Sequence, residues 1–102
     1  MILIHLLLYK NNLSGNIPDT LGQLQTLQVI RFDRNLLSGP VPSNLSNLSS
    51  VGELYLSNNN LNGSIPDLTG MNSLNYVDMS NNTFNGSKIP SWASTLESLT
   101  TF

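Results

Sequence analysis

A pattern built from leucine, asparagine, Ser-Gly and Ile-Pro recurs along this chain at a nearly constant spacing. The stretch NNLSGNIPDTLGQL (11–24) returns as NLLSGPVPSNLSNL (35–48), as NNLNGSIPDLTGM (59–71) and as NTFNGSKIPSWASTL (82–96). The copies start at Leu6, Ile30, Leu54 and Val77, so the steps between them are 24, 24 and 23 residues. A fixed period of this length is typical of a solenoid, in which each copy forms one coil and stacks on the next.

Each copy opens with two apolar residues separated by one position, which is the period of a β-strand. Both residues of the pair are predicted to point into the core, so the residues between and beside them face outward. Strands of successive coils are then expected to pair in parallel and to form one inner sheet. The pairs are Leu6/Leu8, Ile30/Phe32, Leu54/Leu56 and Val77/Met79.

An asparagine stands three positions after each strand pair, where the chain leaves the sheet. The turn takes backbone groups away from their ladder partners, and an Asn side chain carries both a donor and an acceptor that can replace those partners. We therefore predict an internal asparagine ladder rather than a row of ligand-binding amides. Its members are Asn11, Asn35, Asn59 and Asn82.

The second half of each copy is predicted to bend the coil closed. A glycine in each copy allows close approach of neighbouring coils, and a β-branched residue before each proline favours extended backbone. We therefore expect short β-bridges on the flank, followed by tight helical turns where apolar residues recur every three positions. One more apolar residue in each copy is expected to be buried: Leu13, Leu37, Leu61 and Phe84.

Composition and charge exclude several classes of function. The formal net charge of −2, with only four Lys and Arg, argues against a nucleic-acid footprint. There is no cysteine, and His5 is the sole histidine, so no thiolate metal site and no Ser-His or Cys-His pair is expected. We predict no enzymatic activity, no cofactor and no metal. The apolar amino-terminal run MILIHLLLY is too short to span a bilayer, so we expect no membrane contact by this segment.

The run L-x-L-x-x-N-x-L-S-G-x-I-P-x-x-L-x-x-L-x-x-L resembles the plant-specific leucine-rich repeat. That repeat builds the ectodomains of plant receptor-like kinases, receptor-like proteins and polygalacturonase-inhibiting proteins. The stretches VIRFDRNLLSGPVPSNLSNL, LTGMNSLNYVDMSNN and IPSW are similar to one group of receptor kinases in which hydrogen-peroxide perception has been described. The resemblance implies a right-handed α/β-type solenoid, mainly β, with a parallel inner sheet, short flanking β-bridges and 3₁₀ or short helical turns on its convex side.

The repeat frame organises the whole chain, residues 1–102, as a single leucine-rich-repeat array. We assign a partial repeat to residues 1–5, full repeats to residues 6–29, 30–53, 54–76 and 77–101, and the start of another repeat to Phe102. Neither end carries a capping motif, so the chain is interpreted as an uncapped fragment of a longer array.

The outward positions of the inner strands are the predicted partner-binding surface. Most of the charge and all three tyrosines fall there, and aromatic residues and arginine are favoured at the centres of binding interfaces. The alternative is a solvated face with cross-strand ion pairs, such as Arg31 with Glu53, each contributing about 0–1 kcal/mol. The predicted contact residues are Arg31, Asp33, Tyr55, Tyr76 and Asp78.

Asn-x-Ser/Thr sequons indicate an extracellular or apoplastic surface. Asn44 and Asn47 are expected to be the most accessible, whereas Asn81 abuts the predicted ladder. The glycosylation candidates are Asn12, Asn44, Asn47, Asn62, Asn81 and Asn85.

Together these features predict a non-catalytic recognition module from the ectodomain of a plant receptor-like kinase. The resemblance implies a protein or peptide ligand, and a leucine-rich-repeat co-receptor as a further partner. Two alternatives remain open at this point. One is a soluble defence protein that inhibits a cell-wall-degrading enzyme through the same concave face, and the other is a structural or ice-binding stack.

Overall fold

The computed structural model describes residues 4–85, which form stacked coils built from seven short strands in two parallel sheets. Residues 1–3 of the partial repeat, the fourth repeat beyond Asn85 and the predicted start at Phe102 lie outside the described residues. Within residues 4–85, no helix has the length and hydropathy that a bilayer span requires. The predicted solenoid, mainly β with a parallel inner sheet, is confirmed.

The inner sheet contains one strand from each of four coils, and its register follows the sequence period. Leu6 pairs with Ile30, Ile30 with Leu54 and Leu54 with Val77, so equivalent residues of successive copies lie side by side. The sheet order is β1-β3-β5-β7. The strands are β1 (His5–Leu7), β3 (Val29–Arg31), β5 (Glu53–Tyr55) and β7 (Tyr76–Asp78).

A second parallel sheet lies on the flank, with the order β2-β4-β6. Its strands are β2 (Ser14–Asn16), β4 (Leu36–Pro40) and β6 (Asn60–Asn62), and an isolated bridge joins Ser64 to Asn85. The flank pairing was expected at the β-branched residues before proline, but the strands end before them. Ile17 and Val41 are instead buried in the core, because the glycines ahead of them adopt positive φ and turn the chain inward.

The convex side is closed by 3₁₀ helices in the first two coils, Asp19–Gln23 and Ser43–Asn47. Each begins directly after a proline in extended conformation, Pro18 or Pro42. The third coil is one residue shorter after its proline, and it closes with consecutive turns between residues 69 and 73 instead of a helix.

The core is a single cluster of aliphatic side chains with one phenylalanine and two methionines, and it fills the space between the sheets and the convex turns. Most of the predicted core residues belong to it, including Leu37 and Leu61, and Phe84 packs partly buried against it. Two predictions for the first coil are wrong. Leu8 and Leu13 are 37% and 36% exposed, because no described coil packs on the outer side of β1 and β2.

The asparagines after the strands connect neighbouring coils. The Asn35 side-chain oxygen accepts hydrogen bonds from the backbone N–H groups of Asn11 and Leu13, both at 2.9 Å. Its amide nitrogen donates to the carbonyl oxygens of Leu8 and Phe32. Each such side chain therefore satisfies backbone groups of its own coil and of the preceding coil.

Asn59 and Asn82 repeat this arrangement one and two coils further on, accepting from the N–H groups of Leu37 and Leu61. Asn11 differs, since its amide donates only to the Tyr9 carbonyl within its own coil and the residue is exposed. No earlier coil is described on which Asn11 could act.

Candidate functional site

The outward side chains of the inner sheet form a concave surface that carries every Lys and Arg of residues 4–85. These cations are Lys10, Arg31 and Arg34, whereas Asp19 and Asp67 belong to the convex turns. The strand register aligns Arg31 with Tyr55 and Tyr55 with Asp78. The concave surface therefore concentrates both signs of charge and the tyrosines on one face of the stack.

Arg31 forms an ion pair along its own strand rather than across the sheet. Its Nη2 lies 2.8 Å from Asp33 Oδ2, and its Nε donates to Asp33 Oδ1 at 3.1 Å. This is the one ion pair of the described region, and the suggested pairing of Arg31 with Glu53 does not occur. Glu53 instead accepts a hydrogen bond of 2.7 Å from the Tyr55 hydroxyl.

Asp33 is 4% exposed and lies beneath the guanidinium that it binds. Its carboxylate is thus positioned to hold Arg31, and a partner molecule has little access to it. A bidentate pair of this kind fixes the plane of the guanidinium as well as its place.

Aromatic rings enclose Arg31 on both sides. The guanidinium carbon lies 4.2 Å from the ring centroid of Tyr9 and 4.5 Å from that of Tyr55. The Tyr55 ring in turn lies 5.0 Å from the Tyr76 ring, at an interplanar angle of 45°. Tyr9, Arg31, Tyr55 and Tyr76 therefore form one continuous row, which we call the tyrosine–arginine row, across four successive coils.

The hydrogen bonds and packing in this row change its ionisation. The hydrogen bond to Glu53, followed by burial and by the charge of Glu53, raises the pKa of Tyr55 to about 12. Burial, with a further contribution from the charge of Asp78, raises the pKa of Tyr76. The hydrogen bond to Asp33 raises the pKa of Arg31. At neutral pH the row therefore holds one fixed cation, Arg31, beside the neutral phenols of Tyr55 and Tyr76.

A shallow pocket of about 370 Å³ lies beside this row, near the end where the inner strands leave the sheet. It is lined by Tyr9, Lys10, Arg31, Asp33, Arg34, Tyr55, Ser57, Asn58 and Asp78. Sequence reasoning did not select Lys10. A signal for it was present, because Lys10 precedes the ladder asparagine of its copy as Arg34 precedes the next one.

The residues before the ladder asparagines share an unusual backbone conformation. Lys10, Arg34, Asn58 and Asn81 all have φ between 57° and 59°. A residue in this left-handed region directs its side chain differently from an extended strand residue. These side chains therefore lie at the carboxyl ends of the inner strands. We call these residues the rim positions.

The six sequon asparagines differ in accessibility. Asn44 is half-buried, its amide nitrogen donates to the Asp19 carbonyl, and its side-chain oxygen is buried without a partner. The expectation that Asn44 is among the most accessible is therefore wrong, because its side chain bridges the two 3₁₀ helices. The exposed sequon asparagines are Asn12, Asn47, Asn62, Asn81 and Asn85.

Three features define the class of protein: the periodic coils, the hydrogen bonds of the ladder asparagines and the parallel inner sheet are those of a solenoid repeat protein. Comparison of the sequence with known proteins agrees. The Leucine Rich Repeat family matches residues 3–24, 26–48, 50–71 and 73–96, so the chain belongs to that family. It is 56% identical over 101 residues, 99% of its length, to a probable leucine-rich repeat receptor-like protein kinase of Arabidopsis thaliana. The chain spans 11% of the length of that curated relative.

Two solved structures show the same likeness in three dimensions. The first is the ectodomain of the plant membrane receptor kinase GASSHO1/SCHENGEN3 from Arabidopsis thaliana, in complex with CASPARIAN STRIP INTEGRITY FACTOR 2. It superposes with a TM-score of 0.88 at 34% identity, over 98% of this chain and 12% of that one. The second is the Arabidopsis receptor kinase HAESA in complex with the peptide hormone IDA and the co-receptor SERK1, with a TM-score of 0.77 at 37% identity, over 80% of this chain and 14% of that one.

These likenesses confirm the predicted resemblance to receptor-kinase ectodomains. They also agree with the extracellular location that the sequence predicts. The narrower resemblance to receptors of hydrogen peroxide stays a prediction.

Proposed function

We propose that this chain is a recognition segment of the ectodomain of a plant leucine-rich-repeat receptor kinase, and that its concave surface binds a protein or peptide. The observation that carries the proposal is the tyrosine–arginine row. Three rings and a guanidinium are held in mutual contact before any partner arrives, so little side-chain freedom is lost on binding.

The contact residues proposed from the sequence then take different roles. Tyr55, Tyr76 and Asp78 offer partly exposed aromatic and carboxylate surface, and Arg31 offers the edge of its guanidinium. Asp33 contributes indirectly, because it is buried and orients Arg31. Tyrosine and arginine with fixed orientation are the side chains that dominate the energies of protein interfaces.

Relatives support a peptide as one class of partner. The HAESA structure contains a peptide hormone and a co-receptor, and the chain resembles part of that receptor. We extend this by analogy to the present chain, with a parent protein that carries a membrane anchor and a kinase. The full-length transcript tests the parent: a membrane helix and kinase sequence downstream would support it, and a stop codon would favour the soluble inhibitor.

The binding role can be tested by selecting a random-peptide phage library on the immobilised chain. Peptides selected on the unaltered chain should lose at least tenfold in affinity for Tyr76→Ala and Asp78→Ala. They should bind Gln23→Ala normally, because Gln23 is exposed on the convex side. Thermal midpoints should be compared so that unfolding is not read as lost binding.

Selected peptides that bind all of these variants equally would place recognition outside the concave surface. In that case this segment would be a spacer within its array, and the proposed function would be wrong.

A further inference from the structure

Charges on the concave surface are separated along the stack once the Arg31–Asp33 pair is set aside. Lys10 and Arg34, on the coils of β1 and β3, have side chains with no hydrogen-bond or ion-pair partner among residues 4–85. Glu53 and Asp78, on β5 and β7, have no cation of the described part of the chain paired with them. The first two coils therefore present unpaired positive charge, and the next two present unpaired negative charge.

The rim positions show at which coil the positively charged part of the concave surface ends. The rim positions of the next two coils are Asn58 and Asn81, which have the same backbone conformation and are neutral. The Asn81 amide donates to the Asn58 side-chain oxygen at 2.8 Å, so these two amides are engaged with each other. The cationic part of the rim is thus limited to two adjacent coils.

The negatively charged part of the concave surface, Glu53 and Asp78, keeps oxygens that can accept further hydrogen bonds. Asp78 accepts from the N–H and the hydroxyl of Ser80, at 3.1 Å and 2.8 Å, through Oδ1 alone. Glu53 accepts from Tyr55 through Oε1 alone. Each carboxylate therefore has one oxygen that bonds to no described residue, and such an oxygen can accept a charge-assisted hydrogen bond from a cation.

We propose that the concave surface selects an extended peptide segment with one acidic and one basic group, the acidic group over Lys10 and Arg34 and the basic group over Asp78 and Glu53. This inference rests on the proposed function and adds the partner's charge pattern. Tyr55, which lies on the strand between Arg34 and Asp78, would contact the peptide between its two charges.

The strand spacing sets the distance between those two groups. Arg34 and Asp78 belong to coils two strands apart, which is about 10 Å at roughly 4.8 Å per strand, with a further offset along the strands. An extended peptide rises about 3.3 Å per residue, so this separation corresponds to three or four residues. A polyanion does not fit this pattern, since the carboxylates of the later coils would repel it.

The test uses an array of short capped peptides that carry one Glu and one Lys, two Glu or two Lys at increasing separations, against a background of Gly, Ser and one Tyr. The intact chain should be retained most strongly by peptides with one Glu and one Lys at separations of three and four residues. Retention should weaken as salt rises, because about 0.1 M salt screens exposed charges over roughly 10 Å.

The decisive variant reverses the charge at one end of the pattern, Asp78→Lys. It should shift the preference from peptides with one Glu and one Lys toward peptides with two Glu at the same separations. Asp19→Lys, on the convex side, makes the same change of net charge and should leave the preference unchanged. Circular dichroism should show the same fold for all three proteins.

The outcomes separate this inference from the proposed function. Retention that ignores charge pattern and separation, or an unaltered preference in Asp78→Lys, would overturn the bipolar pattern. If Tyr76→Ala still removed binding in that case, the concave surface would remain the recognition face. If neither Asp78→Lys nor Tyr76→Ala had any effect, both proposals would be wrong.

Discussion

The side-chain oxygen of Asn59 accepts a hydrogen bond of 3.0 Å from the backbone N–H of Leu37, one coil earlier in the stack. Its amide nitrogen also donates to carbonyl oxygens of Phe32, Leu56 and Ser57, at 3.1–3.2 Å. One buried side chain thus satisfies backbone groups on two coils. Because Asn59 is only 7% exposed, water cannot readily replace these bonds.

Asn59→Leu should therefore destabilise the chain strongly. Each buried backbone group that loses its partner costs about 1–3 kcal/mol, and Asn59 satisfies several. Asn60→Leu, one residue further on and exposed, should change the free energy of unfolding by no more than about 0.5 kcal/mol. Urea unfolding followed by circular dichroism measures both. Equal losses for the two variants would contradict the role assigned to Asn59.

The close approach of the two 3₁₀ helices gives a second prediction. A Cβ added at Gly22 would lie 2.6 Å from the backbone oxygen of Asn44. Backbone cannot move aside as a side-chain tip can, so Gly22→Ala should force the first two coils apart and destabilise by about 1–3 kcal/mol. Gly52→Ala is the matched control, since its nearest atom would be 3.6 Å away. The thermal midpoint should fall for Gly22→Ala alone.

A third prediction concerns the buried carboxylate beneath the tyrosine–arginine row. Arg31→Met removes both hydrogen bonds to Asp33 and leaves a buried charge unpaired, so we expect a loss of about 1–3 kcal/mol. Arg34→Met should be nearly silent, because Arg34 is exposed and unpaired. Arg31→Met combined with Asp33→Asn should lose less than the sum of the single changes. Strict additivity in this double-mutant cycle would show that the pair is not coupled.

The sequence period predicted the architecture because each repeat position has one geometric consequence. The alternating pair Leu54/Leu56 can only point inward from a strand, and both residues are fully buried. Asn59 follows at a fixed offset, and its hydrogen bonds lie where the chain leaves the sheet. Because the coils stack, this local geometry recurs from coil to coil, and long-range contacts follow from a short-range sequence pattern.

Features that depend on side-chain direction could not be predicted in the same way. The pattern places Arg31 beside Tyr55 and within reach of Glu53 and Asp33, and only the side-chain conformations decide between the two carboxylates. The bridging role of Asn44 depends on how closely the 3₁₀ helices approach, which the period does not specify. Lys10 joins the pocket because of its left-handed backbone, which sequence spacing alone does not reveal.

The last prediction concerns alkaline pH. The pKa of Tyr55 is about 12 in the folded chain against 10.0 for an unperturbed tyrosine, chiefly because its hydroxyl donates to Glu53. A pKa raised by folding means that the unfolded chain gives up this proton first. The stabilisation is therefore complete below pH 10 and is lost as the pH rises through about 12. Stability measured by urea unfolding should decline over this interval.

Ultraviolet absorbance of phenolate follows the ionisation directly, and Tyr55→Phe identifies which tyrosine produces the highest step. Glu53→Ala removes the principal cause of the shift and should move that step toward 10.0. Asp67→Ala, an exposed carboxylate of the convex side, should leave it in place. If the highest step persists in Tyr55→Phe, or is unmoved by Glu53→Ala, the hydrogen bond between Tyr55 and Glu53 does not govern the ionisation of the row.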